Sequence, residues 1–166
     1  NVAIAGGCAL NCSANGRLLR EGPFTQMYVP PAPHDAGCAV GAALLVYHER
    51  LGKPKQLEMT HACYGPEYGE QDIGRTLRAQ GIDAQPIADE AVLLTRAVEV
   101  LCSGRILGWF QGAMEFGPRA LGSRSFLADP RNDSIRDTLN RKIKQRELFR
   151  PFAPSVKAES AADYFV

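Results

Sequence analysis

Two short apolar runs near the start of the sequence each end in a pair of chain-breaking residues, and a helix-like pattern follows each pair. The first run, NVAIA, ends at Gly6 and Gly7, and the second, TQMYV, ends at Pro30 and Pro31. Such pairs stop a strand and begin a turn. Strands that alternate with helices usually form a parallel sheet. The fold class predicted for the chain is therefore α/β.

Helical spacing of apolar residues predicts further elements along the chain. The residues from Cys8 to Leu19 and the small-residue run GCAVGAALLVYHERLG are predicted helices, and RILGWFQG is a predicted strand. More helices are expected after the turn-rich YGPEYG stretch, between Asp89 and Gly104, which are typical start and stop residues, and after Ser134. FRPFAPSV is predicted as an edge strand or a strand start, because prolines do not donate to a sheet.

The chain divides into two predicted segments near residue 57. Residues 1–57 carry the first alternation of strands and helices, and residues 58–166 carry the rest. The sequence begins inside an apolar strand, without a start methionine. We therefore expect the chain to be the C-terminal piece of a longer protein.

The charge is nearly balanced overall but unevenly distributed. The 166 residues carry a net charge of +1, whereas the stretch from Arg119 to Arg150 alone carries +5. A balanced total argues against a broad nucleic-acid surface. The local excess predicts a compact site for an anion, and a solvated basic face is the alternative.

Cysteine spacing and hydropathy indicate the cellular compartment expected for the protein. The sequence has five cysteines but no C-x-x-C pair, so neither a zinc knuckle nor a disulfide framework is predicted. No apolar run is long enough to span a bilayer. A reduced, cytoplasmic setting is the expected one.

The segment EFGPRALGSRS, which follows the predicted strand, is the strongest candidate for a site. Arg119 and Arg124 offer planar guanidinium groups that suit phosphate or carboxylate oxygens. Its glycines permit a close approach of the backbone, and Ser125 adds a hydroxyl group. The sequence shows neither a Ser-His-Asp set nor paired acids. The pattern therefore favours phosphoryl-type or nucleotidyl transfer, in which positioning and charge neutralisation do the chemistry.

Basic residues near the end of the chain add to this prediction. In the helix after Ser134, Lys142 borders the apolar stripe that centres on Leu139, whereas Lys144 falls on the solvent side. Lys142 is therefore the lysine expected to face a site. Arg150 lies between an aromatic residue and a proline, so we expect its stem to be packed and its charged end directed.

Polar residues and glycines of the first segment are weaker candidates. Gly6 and Gly7 would let backbone N–H groups approach a ligand, although a tight turn explains them equally well. Asn11 and Asn15 could bond a ribose or phosphate, or simply lie on a helix surface. Asp35 could ligate a metal or cap the helix after it, and spacing alone favours the cap.

Three blocks of the sequence resemble a known family. They are GGCALNCSANGRL, HDAGCAVGAAL and the long block that runs from GWFQGAMEFGPRALGSRSFLADPRN to FRPFAPSV. These blocks are similar to the O-carbamoyltransferases of the nodulation-protein and antibiotic-tailoring type, and the similarity spans nearly the whole chain. The resemblance implies the end of an actin-like (ASKHA-type) α/β domain over residues 1–57. It implies a YrdC-like α/β domain over residues 58–166.

The resemblance also implies a reaction and its partners. The YrdC-like domain would join ATP and carbamoyl phosphate into carbamoyl-adenylate. The actin-like domain would pass the carbamoyl group to a hydroxyl of a sugar or small-molecule acceptor, with help from iron or another divalent metal. A homodimer is a further expectation, and nucleic acid is not an expected partner. The alternative is a YrdC-like module that binds nucleotide or RNA without catalysis.

Individual roles follow from the matching blocks. Asp35 matches the family's metal-ligating aspartate, whose histidine partners lie outside this chain, so the piece alone is not expected to hold the metal well. The implied nucleotide-facing loop of the actin-like domain comprises Gly6, Gly7, Asn11 and Asn15. The blocks implied to line the adenylate site contain Arg119, Arg124, Ser125, Lys142 and Arg150.

Overall fold

The computed structural model describes residues 1–56 and 58–165. Within them, the chain forms two compact units, residues 1–83 with 109–125 and residues 84–108 with 126–165. The predicted boundary falls on Leu57, which lies outside the described residues, so the boundary stays a prediction. The structure as a whole is a mixture of helices with two small sheets.

The first unit begins with the predicted order of strand, helix, strand and helix. Strand β1 (Val2–Ala3) pairs in parallel and in register with strand β2 (Met27–Tyr28). Helix α1 (Cys12–Glu21) lies between the two strands in sequence, and helix α2 (Gly37–Leu45) follows the second. The parallel pairing agrees with the predicted α/β alternation, in a sheet that is very short.

Both helices adjoin turns of another helical type. A 3-10 turn (Gly7–Leu10) precedes α1, and α2 continues as a π-helical turn (Val46–Arg50). Helix α1 begins after Asn11, whose side-chain oxygen accepts a 3.1 Å hydrogen bond from the N–H group of Ala14. Asn11 has backbone angles outside the helical region (φ −83°, ψ 89°), which divides the single helix expected from Cys8 onwards.

Two further helices confirm the predicted start and stop signals. Helix α3 (Glu70–Ala79) follows the turn-rich stretch, and helix α4 (Glu90–Cys102) lies between the expected residues. The Oδ1 atom of Asp89 accepts a 2.8 Å hydrogen bond from the N–H group of Ala91. Gly104 ends the segment with a φ of 76°, a backbone conformation that favours glycine.

The predicted strand RILGWFQG contains β3 (Leu107–Phe110), which forms a second two-stranded sheet with β4 (Arg124–Leu127). Residues 111–123 link the two strands. Just beyond the strands, the N–H group of Gln111 donates a 3.0 Å hydrogen bond to the carbonyl of Ser123. The arginine-containing segment is therefore the connection between two paired strands.

The helix expected after Ser134 changes type along its length. It starts as α5 (Ile135–Thr138) and continues as a π-helical turn (Leu139–Lys144). Hydrogen bonds in a π-helix run from residue i to i+5, so side chains do not fall where an α-helical wheel places them. Lys142 and Lys144 are both exposed, but the Nζ atom of Lys144 lies 5.1 Å from the centroid of the Phe126 ring.

The end of the chain differs from its prediction. Residues 150–157, which include most of FRPFAPSV, form no strand. Their prolines leave few N–H donors for a ladder, and a 3-10 turn (Ala158–Ser160) and a short helix α6 (Ala161–Tyr164) follow instead. The predicted edge strand is therefore wrong.

Buried side chains are few in both units, and several of them are polar. The buried apolar side chains are those of Ala9, Ala32, Pro33, Ile135 and Leu139. The buried polar side chains are those of Glu115, Ser123 and Asn140. None of the helices in residues 1–56 and 58–165 is both long and apolar enough to cross a membrane.

Candidate functional site

Residues 115–125, called the arginine loop below, fold back onto their own first residue. The Glu115 side chain is 7% exposed, and its Oε1 atom accepts two main-chain hydrogen bonds. The donors are the N–H groups of Leu121, at 2.8 Å, and Ser123, at 2.7 Å. A buried carboxylate therefore fixes the course of the loop.

The charge of Glu115 is maintained inside the loop. Burial raises the pKa of this carboxyl group, but hydrogen bonds from the main chain and from the Ser123 hydroxyl lower it by more. The net pKa lies below the ordinary value for glutamate. Glu115 is thus an anion at neutral pH, in a loop that also carries two arginines.

Arg124 does not present an open fork to solvent. Its Nη1 atom donates to the carbonyl oxygens of Gln111 (2.8 Å) and Ser123 (2.8 Å). Both terminal nitrogens also lie 3.1 Å from the carbonyl oxygen of Gly112. The guanidinium carbon stands 3.6 Å from the centroid of the Phe110 ring, which places a cation over an aromatic face. The structure therefore differs from the expectation of a free Arg124 fork.

Arg119 is different, because it is exposed and has no hydrogen bond or ion pair with any residue that the structure describes. The backbone just before it is closely seated. Gly117 has a φ of 141°, and a Cβ atom at this position would collide with the main-chain carbonyl oxygen of Pro31. The loop thus presents one free guanidinium group from a fixed base.

The expected hydroxyl of Ser125 is used within the loop. Its Oγ atom accepts a 3.0 Å hydrogen bond from the N–H group of Gly122. Gly122 has a φ of 124°, a conformation that L side chains rarely adopt. Ser125 therefore supports the turn, and its role in binding a ligand stays a prediction.

A second segment supports the loop from the side. The N–H group of Phe116 donates to the carbonyl of Ala62 at 2.6 Å, and the N–H group of Met114 donates to that of Pro66 at 3.0 Å. In return, the N–H group of Gly65 donates to the carbonyl of Met114 at 2.8 Å. These three bonds tie the start of the loop to residues 62–66, which the sequence marked only as turn-rich.

The glycine turn after β1 is open on its outer side. Gly6 has a φ of 92°, and its N–H group donates a 2.7 Å hydrogen bond to the carbonyl of Pro33. A Cβ atom at either Gly6 or Gly7 would meet open space. Because Pro33 neighbours Pro31, the short segment 31–33 contacts both the glycine turn and the arginine loop.

The two asparagines after this turn both make local bonds. Asn11 caps α1, and the Nδ2 atom of Asn15 donates a 2.7 Å hydrogen bond to the carbonyl of Ala9. Ala9 is buried, so this bond fixes the 3-10 turn. Contact between these amides and a nucleotide stays a prediction.

Asp35 lies on the exposed loop before α2. The prediction that it caps this helix is wrong, because the N-cap residue is Ala36 and its helix start has no side-chain cap. Beside it, the Nδ1 atom of His34 is buried and has no hydrogen-bond partner among the described residues. Residues 1–56 and 58–165 contain no group of three or more His, Cys, Asp or Glu side chains arranged to hold a metal. The residues present do not form a complete metal site.

In the second unit, the fully buried Asn140 organises the turn that carries Arg150. Its Nδ2 atom donates to the carbonyl oxygens of Leu148 (3.2 Å) and Arg150 (2.9 Å). Its Oδ1 atom accepts a 2.8 Å hydrogen bond from the Nε atom of Arg146. The backbone of Arg150 is therefore held, as a site residue requires.

The Arg150 side chain is less constrained than its sequence context suggested. It is 51% exposed and forms a 2.9 Å ion pair with Glu147. The expectation of a packed stem and a directed head is not met. The neighbouring Arg146 has those features instead, because its guanidinium carbon lies 4.8 Å from the centroid of the Phe152 ring.

The predicted site residues fall in two groups. The first unit contains Gly6, Gly7, Asn11, Asn15, Asp35, Arg119, Arg124 and Ser125. The second unit contains Lys142 and Arg150. Sequence reasoning missed Glu115 and Asn140, although a lone acid beside two arginines and an asparagine next to a buried helix stripe were the available signals. Two cavities of the first unit, along the β1–β2 pair and along α1, lie at other residues.

Family models match both ends of this chain. The model described as the carbamoyltransferase N-terminus matches residues 1–44, and the model described as the carbamoyltransferase C-terminus matches residues 98–166. Together they account for more than half of the chain. The second match includes the whole arginine loop, Lys142 and Arg150.

Proteins of known sequence agree with this assignment. The chain is 47% identical to an uncharacterized protein of Synechocystis sp., over 99% of this chain and 28% of that protein. It is 46% identical to the nodulation protein NolO of Bradyrhizobium diazoefficiens, over 99% of this chain and 30% of NolO.

A third relative gives the same result. The 3'-hydroxymethylcephem-O-carbamoyltransferase of Streptomyces clavuligerus is 35% identical, over 98% of this chain and 29% of that enzyme. The chain thus spans less than a third of the length of these relatives. The chain matches the N-terminal and the C-terminal model of one family, and it is similar to a nodulation protein and a cephem O-carbamoyltransferase. It therefore belongs to the carbamoyltransferase family.

Proposed function

We propose that the protein containing this chain is an ATP-dependent O-carbamoyltransferase, and that the arginine loop takes part in forming carbamoyl-adenylate. The observation that carries this proposal is the exposed Arg119, which has no partner among the described residues, in a loop whose other polar groups bond to one another. A guanidinium held out from a fixed loop suits a phosphate oxygen. Membership of the carbamoyltransferase family indicates that the transferred group is a carbamoyl group.

The proposed chemistry has three balanced steps. Water releases inorganic phosphate from carbamoyl phosphate and leaves carbamate. A carbamate oxygen then attacks the α-phosphorus of ATP, which forms carbamoyl-adenylate and releases pyrophosphate. An acceptor hydroxyl finally takes the carbamoyl group and releases AMP with its proton. Carbamoyl phosphate, carbamate and ATP are all anions, so a positive site must offset the repulsion between carbamate and the ATP phosphates.

Within this proposal the arginines have unequal roles. Arg119 contacts phosphate directly, whereas Arg124, whose donors already meet carbonyl groups, holds the loop in place. Ser125 stabilises the turn through its bond to Gly122. Lys142 and Arg150, which are both exposed, are proposed as further contacts for phosphate groups.

The two predicted domains would catalyse different steps. Residues 58–166 would form a YrdC-like domain that makes the adenylate, and residues 1–57 would end an actin-like domain that transfers the carbamoyl group. In the latter, Gly6, Gly7, Asn11 and Asn15 would face a nucleotide, which the open space beside the two glycines supports. Asp35 would be one ligand of iron or another divalent metal. Further ligands would come from a region of the full-length protein that corresponds to the unmatched part of the relatives.

The acceptor is proposed to be a hydroxyl-bearing small molecule or sugar, because the named relatives include a cephem O-carbamoyltransferase and nodulation proteins. A homodimer is proposed without a defined interface. The five cysteines are exposed and unpaired, which supports a reducing, cytoplasmic setting.

The test is carbamoyl-adenylate formation by the full-length protein from ATP and carbamoyl phosphate. A charge-assisted contact is worth roughly 1.5–3 kcal/mol, so Arg119→Ala should slow the reaction by about one to two orders of magnitude. Arg119→Lys should recover part of the loss, because lysine keeps the charge but not the fork. Arg96→Ala, at an exposed arginine of α4, is the matched control. An Arg119→Ala protein that reacts at the parent rate would contradict the proposal.

The second candidate function is a module that binds nucleotide or RNA without catalysis. The local excess of positive charge between Arg119 and Arg150 fits a bound nucleotide, whereas the nearly balanced total charge argues against a broad RNA surface. Titration with ATP and with single-stranded RNA over a series of salt concentrations separates the two functions. RNA binding that falls steeply with salt, without ATP binding, would support the second one.

A further inference from the structure

The arginine loop contains an anion-binding arrangement that the protein itself fills. The N–H groups of Leu121 and Ser123 converge on one point, as in backbone nests that bind phosphate. In this structure the point is occupied by the Oε1 atom of Glu115. A ligand phosphate therefore has no access to these donors while Glu115 is in place.

We propose that Glu115 is a positioning residue for Arg119. Its carboxylate occupies the anion-binding point of the loop permanently and thereby fixes the backbone that carries Arg119. This inference rests on the proposed function of Arg119. With the nest filled, the loop keeps one shape whether or not a substrate is bound, and Arg119 is left as its free phosphate-binding group.

The surroundings of Glu115 support a fixed rather than an adaptive loop. The carboxylate is 7% exposed, and its Oε1 atom accepts both main-chain bonds within 2.8 Å. The residue after it, Phe116, is bonded to Ala62, and Gly117 is in close contact with Pro31. The loop is therefore anchored just before Arg119 by neighbouring segments and just after it by Glu115.

Substitutions at Glu115 should have graded effects. Both main-chain donors reach the same oxygen, so Glu115→Gln keeps an acceptor for them but loses the charge that strengthens the bonds. Glu115→Ala removes the acceptor and opens the nest. Inorganic phosphate should then raise the melting temperature of Glu115→Ala more than that of the parent protein, because the vacated N–H groups become available.

The decisive experiment is a double-mutant cycle in the full-length protein. Adenylate formation is measured for the parent, Glu115→Gln, Arg119→Ala and the double variant, with folding checked by thermal melting. We expect Glu115→Gln alone to raise the KM for ATP or carbamoyl phosphate by about tenfold, a typical coupling for residues that act through one another. In the Arg119→Ala background it should have no further effect. Glu99→Gln, at an exposed acid of α4, is the control.

The outcomes separate this inference from the proposed function. If Arg119→Ala slows the reaction and Glu115→Gln adds its full effect on top, Glu115 does not act through Arg119 and the inference is overturned alone. If Arg119→Ala has no effect, the proposed function of the loop fails and the inference fails with it.

A measurement on the parent protein applies even if every Glu115 variant fails to fold. Hydrogen exchange at the amides of Leu121 and Ser123 should be equally slow with and without a non-hydrolysable ATP analogue. Protection that arises only with the analogue would show that the ligand, not Glu115, orders the loop.

Discussion

The Asn140 side-chain amide donates a 2.9 Å hydrogen bond to the main-chain carbonyl of Arg150, ten positions later in the chain. The same side chain also bonds to Leu148 and Arg146, and none of it is exposed to solvent. One buried amide therefore holds the whole turn that presents Arg150.

Replacement of Asn140 should destabilise this turn. Asn140→Ala leaves the carbonyls of Leu148 and Arg150 without their donor, and a buried unpaired group costs about 1–3 kcal/mol. We expect the free energy of unfolding to fall by roughly that amount in urea denaturation of the full-length protein. Gln71→Ala, at an exposed amide of α3, should change it little. Equal stability of the two variants would show that the Asn140 network is dispensable.

Substitution of Arg124 should lower the melting temperature, whereas substitution of Arg119 should leave it unchanged. Arg124→Ala removes bonds to four carbonyl groups and the contact with Phe110, so the melting temperature of this variant should fall by several degrees. Arg119→Ala breaks no contact among the described residues and should melt with the parent. A fall of the same size in both variants would mean that Arg119 also supports the fold.

The two lysines of the π-helical turn should also differ. Lys142→Ala should weaken the use of ATP or carbamoyl phosphate, because Lys142 is exposed and has no partner among the described residues. Lys144→Ala should mainly remove the contact with Phe126, worth about 0.5–1 kcal/mol of stability. Steady-state kinetics and urea denaturation of both variants test this. Kinetic losses of equal size would show that Lys142 has no special position.

Asp129 should make stability depend on pH in the acid range. Hydrogen bonds from Arg131 to both of its carboxylate oxygens hold the pKa of Asp129 at about 2, below the ordinary value of about 3.9. A folded-state pKa that is lowered contributes stability above the unfolded pKa, and this contribution is lost as the pH falls through the folded value. The parent should therefore melt above Asp129→Asn at pH 6, and the gap should close between about pH 4 and pH 2. A gap that stays constant over this range would contradict the assignment.

Local signals in the sequence predicted the elements of the fold well. The pairing of β1 with β2 joins residues far apart in the chain and agrees with the alternation of strands and helices. The start of α4 at Asp89 and its stop at Gly104 each depend on a few neighbouring residues. Such effects act within one or two turns of the chain, so periodicity and capping residues reveal them. The change from α5 to a π-helical turn was not predictable in this way, because the apolar spacing of residues 135–143 fits an ordinary α-helix equally well.

The candidate site was predicted only in part, for a different reason. The arginine loop was found because arginine and glycine are unusual together after a strand. Which arginine is free was not predictable, since it depends on contacts of Arg124 with residues 110–112 and 123. The roles of Glu115 and Asn140 likewise depend on their burial, which arises from tertiary packing rather than from spacing.

The seating of Gly117 against Pro31 affects how this protein is divided for expression. An expressed piece that begins at residue 58 would carry the arginine loop but would lack the proline segment on which the loop rests. The bonds to residues 62–66 would survive, so such a piece would keep half of the loop's support and lose the other half. A cut at the predicted boundary is therefore a poor choice for crystallisation or ligand titration, and a piece that begins before β1 is preferable.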